Sequence, residues 1–305
     1  MKYNSLGNTG IYVSELGFGC SPLGGVFGFI EEKEAIKAVR TAIELGITYF
    51  DVSPYYGSTR AELVLGKALK GVHRDQFVLS TKVGRYDDKV FDFSKDRILK
   101  SIHESLLRLG VDELDLVFVH DVEFGSTNQI IQETLPALHA QKRAGLVKAI
   151  GVSGLPIANL REIVKTGLVD VVLSYCQYTL FNTTLGHHLN WFSEQSVGVI
   201  NASPFAMGLL TNEGPPLWHP ASPTIRKKCA QVANVARSRG LDLAQLAFHF
   251  SIEAKGVAST LVGMKSEAQV RKNMSWLKEP IDEEAMIWIR SRFKSIQNQI
   301  WPSGF

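Results

Sequence analysis

Three cysteines in 305 residues, Cys20, Cys176 and Cys229, are too few and too widely spaced for a disulfide framework. No CxxC pair occurs, which excludes a zinc ribbon. Reduced thiols of this kind suit a cytoplasmic setting. No stretch approaches the roughly 20 apolar residues of a membrane span, and the opening MKYNSLGNTG lacks the apolar segment of a signal peptide. Charge of one sign is scarce as well. Thirty-three Lys and Arg stand against 30 Asp and Glu, a net +3, and no basic run offers a nucleic acid its phosphate contacts. The phosphate-binding fingerprints are missing too. Gly17, Gly19, Gly24 and Gly25 have the wrong spacing for G-x-G-x-x-G. Ala68 follows Gly66-Lys67, where a P-loop needs Ser or Thr.

What is present is alternation. Eight short apolar runs read as strands: 15–19, 47–53, 77–83, 114–121, 147–154, 169–178, 197–204 and 259–264. Between them lie amphipathic stretches with helical spacing, such as 31–46, 96–110 and 130–145, closed by Gly46, Gly110 and Gly145. Continuous apolar strands suit a sheet covered on both faces. Eight strand–helix units predict a (β/α)₈ TIM barrel, an α/β fold, as one domain over residues 1–305. Turn residues Asn8 to Gly10 predict an N-terminal β-hairpin that plugs the barrel bottom. A last amphipathic helix is expected near 282–296, and a Pro-rich loop, 212–224, follows the seventh strand.

Active sites of such barrels lie at the C-terminal strand ends. Those ends carry Asp51, Lys82, His120 followed by Asp121, Ser153, Gln177 and Ser203. Singly, each could be a solvated or structural residue. Six consecutive polar strand ends converging on one space point to chemistry. Tyr56, five residues after Asp51, can lean over the mouth. A free phenol has a pKa of about 10, and the Lys82 ammonium is expected to lower it, with Asp51 as counter-charge. His120 can orient a reacting oxygen. Tyr55 is the rival for the acid role. His187-His188 has no third metal ligand at a sensible spacing, so no metal site is expected.

FDVSPYYGSTRAELVLGKAL, LSTK and LVFVHD resemble the aldo-keto reductases over essentially the whole chain. The resemblance implies a tetrad of Asp51, Tyr56, Lys82 and His120, with Tyr56 as general acid/base. It also implies that Ser153 and Gln177 hold a nicotinamide carboxamide, that Tyr178 stacks on the ring, and that Ser203 with Gly208 and Leu209 meets the pyrophosphate. Gly263 and Lys265 complete that set, and Cys20 either lines the pocket or merely packs. Many members carry Ser-Asn after the fifth strand, where this chain has Ser153-Gly154. Where NADP-preferring members place an Arg, this chain has Gln269, with Asn273 toward adenine, so NAD is expected over NADP. Lys265 and Arg271 remain nearby as possible phosphate partners.

GFGCSPLGGVFG, HDVEFGS, ASPFAMGLL, GPPLWHPASP and WPSG resemble the aldose 1-dehydrogenases of that family. They imply oxidation of a sugar at C1 to a lactone, with L-galactose as the expected aldose and ascorbate synthesis as the setting. Asp121, Trp218 and Trp301 would then meet the sugar. The expected partner is a small-molecule sugar, with no nucleic acid and no membrane. The chain would act as a monomer or small homo-oligomer. An NADPH-dependent carbonyl reductase and a non-catalytic cofactor-binding subunit are the alternatives.

Overall fold

The computed structural model describes residues 1–304. The chain opens with an antiparallel hairpin of β1 (Tyr3–Ser5) and β2 (Tyr12–Ser14). Eight parallel strands then close into a barrel: β3 (Leu16–Gly19), β4 (Tyr49–Asp51), β5 (Val78–Val83), β8 (Leu114–Val119), β9 (Val147–Gly154), β10 (Val171–Tyr175), β11 (Gly198–Ala202) and β12 (Ser259–Gly263). β12 returns to β3, pairing Thr260 with Leu16 and Gly263 with Gly19. All eight expected strands are present.

The surrounding helices include α1 (Glu32–Glu44), α2 (Arg60–Leu69) and α3 (Lys95–Leu109). A short α4 (Thr127–Gln129) runs through a π-helical turn (Ile130–Thr134) into α5 (Leu135–Arg143). Then follow α6 (Ile157–Val164), α7 (Leu189–Glu194), α8 (Pro223–Ser238), α9 (Leu243–Ile252), α10 (Glu267–Trp276) and α11 (Glu283–Arg292). Gly46, Gly110 and Gly145 all adopt positive φ behind their helices, as the stop signals require. The last expected helix is α11 followed by a 3₁₀ turn, Lys294–Ile296. No helix among the described residues is long and apolar enough to cross a membrane.

The hairpin stoppers the barrel. Leu6, Ile11 and Val13 are buried against Tyr49, Leu116, Phe118, Leu173, Ile200 and Leu261, which fill the interior from the strands. These apolar side chains seal the bottom and leave the polar strand ends at the top. There the structure departs from the sequence expectation. Three strands stop early because a non-glycine residue turns left-handed: Asp121 (φ 50) after β8, Cys176 (φ 58) after β10 and Ser203 (φ 59) after β11. Such backbone is strained, on the order of 1 kcal/mol or more each, and concentrates at functional sites. A second hairpin, β6 (Arg85–Asp87) and β7 (Val90–Phe91), rises from the top of β5. No Asn-Gly or Asp-Gly pair announces it.

Candidate active site

Asp51 ends β4 and Lys82 is next to last on the neighbouring β5, and both are almost wholly buried. The Lys82 ammonium pairs with Asp51 Oδ1 and donates to the Val52 carbonyl at 2.9 Å. Ser80 holds the other carboxylate oxygen at 2.6 Å. A buried pair is tolerable when its remaining hydrogen-bonding capacity is filled, as here. Burial pulls the Lys82 ammonium down, but Asp51 and Tyr56 outweigh it, and its pKa ends above the ordinary value.

The same ammonium stands 4.9 Å from the centre of the Tyr56 ring. Tyr56 reaches this position through a tight turn, Ser53 to Tyr56, that precedes α2. Gly57 has φ +62, and a Cβ there would collide with the Gly24 carbonyl oxygen. Only glycine allows the two loops to cross so closely and press Tyr56 toward the mouth. The phenol is pushed up to about 12. Burial is the main cause, opposed by Lys82 and reinforced by Asp51 and Asp121. The expected lowering by Lys82 is therefore present but outweighed, because the ring is desolvated and two carboxylates lie close by.

Tyr55 is spent elsewhere. Its hydroxyl donates to Asp88 at 2.8 Å, and the Arg85 guanidinium covers its ring at 3.9 Å. Burial raises this phenol further still. Of the two tyrosines, Tyr56 is the one beside Lys82.

His120 is buried edge-on to Tyr56, with ring centres 5.8 Å apart at 90°. Its Nδ1 lies 3.1 Å from Ser53 Oγ, which already accepts the Tyr55 amide at 3.1 Å. The Ser53 hydroxyl is then free to donate to Nδ1, leaving the proton on Nε2. Asp121, whose Oδ2 is 3.7 Å from Nε2, favours the same tautomer. Burial, with Lys82 and Arg85 adding to it, holds the imidazole well below its usual pKa, so it is neutral. Together these groups form a hydrogen-bond donor, a phenol and a buried cation around one point.

The other residues named from sequence occupy the rim. Ser153 Oγ reaches the Val119 carbonyl and accepts the Asp121 amide, each at 3.4 Å. Gln177 donates to the Leu155 carbonyl at 2.8 Å and accepts from Asn182 at 3.1 Å. One of its N–H groups stays available. Tyr178 is half-buried and stacks on Phe250 at 5.1 Å. Cys20 is fully buried just past β3, its amide donating to the Asp51 carbonyl. Ser203 begins the turn that leads through Gly208 to the buried Leu209. Gly263 ends β12, and Lys265 is exposed beyond it. Gln269 folds back to accept the Lys265 amide at 2.9 Å, and Asn273 is buried on α10. Asp121 pairs with Arg85 at 2.5 Å. Trp218 is half-exposed beside Phe27, at 5.5 Å. Trp301 is buried behind it, edge-on to His219 at 4.7 Å.

Sequence reasoning missed Ser53, Arg85 and Glu123. Ser53 and Arg85 each lie within three residues of a strand-end residue, so strand-end proximity was the available signal. Glu123 is buried three residues past His120, accepting from the Leu155 amide at 3.0 Å and from Ser303 at 2.7 Å. No cluster of three metal-ligating side chains forms among the described residues.

The model of the Aldo/keto reductase family matches residues 15–291. The chain is 44% identical to an L-galactose dehydrogenase of Arabidopsis thaliana, across 100% of this chain and 98% of that protein. It is 33% identical to a D-arabinose 1-dehydrogenase of Saccharomyces cerevisiae, covering 90% of each. Among solved structures, an aldo-keto reductase from Bacillus halodurans in its holo form superposes with a TM-score of 0.81 at 28% identity, covering 97% of this chain and 98% of that one. With fold, strand-end chemistry and sequence in agreement, the chain belongs to the aldo-keto reductase family, oxidoreductases of CH–OH and carbonyl groups.

Proposed function

We propose that this protein oxidises an aldose at C1 to the lactone with NAD, L-galactose being the expected sugar, and that its whole length works as a single barrel domain. The observation that carries this reading is the meeting of Tyr56, Lys82 and His120 at one point above a buried Asp51, in a chain 44% identical to an L-galactose dehydrogenase.

Membership of the family brings a nicotinamide cofactor to the barrel mouth. The residues there fit such a group. Ser153 and a spare Gln177 N–H suit a carboxamide, and the Tyr178 ring, backed by Phe250, suits a flat heterocycle. When bound, the nicotinamide supplies the hydride acceptor. The chain's own residues do the rest. His120 donates from Nε2 to the C1 oxygen and fixes its position. Ionised Tyr56 takes the hydroxyl proton, and the Lys82 ammonium stabilises the phenolate that makes this possible. Asp51 keeps Lys82 charged inside the barrel. In the reverse direction the neutral phenol returns the proton.

The surroundings of α10 support NAD. Arg271 is held by Glu267 at 2.7 Å, and Glu267 also takes Lys37 at 2.7 Å. A 2′-phosphate near Gln269 would meet an occupied guanidinium and a carboxylate rather than a free fork. Asp121 and Trp218 are read as sugar contacts, and Trp301 as backing for the loop that carries Trp218. The three free, buried cysteines support a reducing compartment, the cytoplasm.

The test is direct. Purified protein is given NAD⁺ or NADP⁺ with a panel of aldoses, and reduced cofactor is followed by absorbance. Turnover of L-galactose with NAD⁺ is expected. Activity confined to NADPH and simple aldehydes would sink the proposal.

A further inference from the structure

Arg85 sits at the foot of the unexpected second hairpin, and nothing in the tetrad calls for it. Its side chain is mostly enclosed, 17% exposed, and its guanidinium is boxed by aromatic rings. The Tyr55 ring lies at 3.9 Å, Phe91 at 5.2 Å and Phe124 at 5.6 Å, the last two stacked on each other at 4.7 Å. Such a box fixes a guanidinium plane. One nitrogen, Nη1, pairs with Asp121 Oδ2 at 2.5 Å, while Nε is buried without a partner. Asp121 in turn is buried on left-handed backbone, with Oδ2 3.7 Å from His120 Nε2. Among the described residues no hydrogen bond reaches its Oδ1. One ion pair next to His120 thus carries a buried donor without a partner and a carboxylate oxygen that takes no hydrogen bond.

We propose that Arg85 and Asp121 form a hydroxyl-reading subsite that binds the hydroxyl on the carbon next to the reacting one. This rests on the reading of His120 as the group that holds the reacting oxygen. A hydroxyl both donates and accepts, so it can give its proton to Asp121 Oδ1 while accepting from the Arg85 guanidinium. A methyl or methylene can do neither, and would cover Asp121 Oδ1 without giving it a partner. The pair thus rejects simple carbonyl compounds and selects hydroxylated ones. Arg85 acts partly as a positioning residue, since its Nη1 holds Asp121 Oδ2 and leaves Oδ1 as the oxygen open to a hydroxyl. The Phe91–Phe124 stack and Tyr55 hold that fork still, which gives the second hairpin its purpose.

The test uses two three-carbon aldehydes, glyceraldehyde and propionaldehyde, reduced with NADH by the full-length enzyme. The quantity read is the ratio of their kcat/KM values in wild type, Arg85→Met, Arg85→Lys and Asp121→Asn. Wild type should favour glyceraldehyde, and Arg85→Met and Asp121→Asn should each cut that ratio about 10- to 100-fold, the worth of a hydrogen bond to a charged group. Arg85→Lys keeps the charge without the fork and should fall between. Asp121→Asn is isosteric, so it serves if Arg85→Met folds poorly. A wild-type enzyme with no preference for glyceraldehyde, or variants with an unaltered ratio, overturns the proposal. If no aldose is oxidised but the ratio still collapses in the variants, the sugar-dehydrogenase reading fails while the subsite stands.

Discussion

Ser53 Oγ lies 3.1 Å from His120 Nδ1 and accepts the Tyr55 amide on its other side. A Ser53 hydroxyl that donates to Nδ1 places the imidazole proton on Nε2. Ser53→Ala should release the ring to a mixture of tautomers. We expect kcat to fall about tenfold, as for loss of an orienting group, with NAD⁺ affinity unchanged. Nitrogen NMR of His120 would show the mixed tautomer directly, and a ring that keeps its proton wholly on Nε2 in Ser53→Ala would refute the assignment.

Tyr56→Phe should lose turnover by about three orders of magnitude, in the middle of the range for general acid–base catalysis. It should still quench on binding NAD⁺. Tyr55→Phe removes only the bond to Asp88 and should stay within a few-fold of wild type. Equal losses in both variants would mean that the acid/base role is misassigned.

The two directions of the reaction should respond differently to pH. Oxidation needs the ionised phenol, and Tyr56 is pushed up to about 12 by burial. The phenolate fraction therefore climbs with each unit of pH below that value, and oxidation should climb with it. Reduction uses the neutral phenol and should show no such rise. His120 adds no titration near neutrality, since burial and two nearby cations keep it unprotonated. Paired pH–rate profiles for the two directions check this. A single inflection near pH 6.5 in both would point to His120 as the titrating group.

Glu123 gives a stability signature. Burial, with Asp121 beside it, raises its carboxyl to about 7, against Ser303 and the Leu155 amide, which act to lower it. The folded protein thus disfavours the ionised form relative to the unfolded chain. Its stability is fullest below the ordinary carboxyl range and declines as pH climbs from about 4.5 to 7. Glu123→Gln should flatten that decline, so the variant should melt higher than wild type at pH 8 and close to it at pH 4. Parallel slopes for the two proteins would exclude Glu123 as the source.

Gly154 is tied to the same carboxyl. A Cβ at 154 would lie 2.5 Å from Glu123 Oε2, an oxygen buried without a partner. Leu155 and Ser303 hold that side chain by its other oxygen, so Gly154→Ala should destabilise the protein by about 1 kcal/mol, the low end for overpacking. Gly154→Ala combined with Glu123→Gly should recover much of the loss. Thermal melting of the single and double variants measures the coupling.

The barrel was readable because its strands are continuous apolar runs punctuated by helix-stopping glycines such as Gly46, Gly110 and Gly145. Local periodicity carries that information. Asp51, Lys82 and His120 were legible for a related reason: a polar residue closing an apolar run has few places to go in a barrel. Strand ends were misjudged at Asp121, Cys176 and Ser203, where the chain turns left-handed on non-glycine residues. Nothing local marks such a turn, because the surrounding packing imposes it. Arg85 and Glu123 were missed for the same cause. Strand-end proximity marks Arg85, but what Arg85 and Glu123 do depends on Asp121 and Ser303, 36 and 180 residues away, contacts that no spacing pattern encodes.

The N-terminal hairpin has a consequence for proton traffic. With Leu6, Ile11 and Val13 packed into the base, the barrel is a blind tube. The Asp51–Lys82 pair has apolar side chains beneath it, so its line to water runs upward past Tyr56 and His120. Ligands lying across the mouth would cork that line. A proton taken by Tyr56 would then stay until the mouth clears, which couples release of the proton to departure of product.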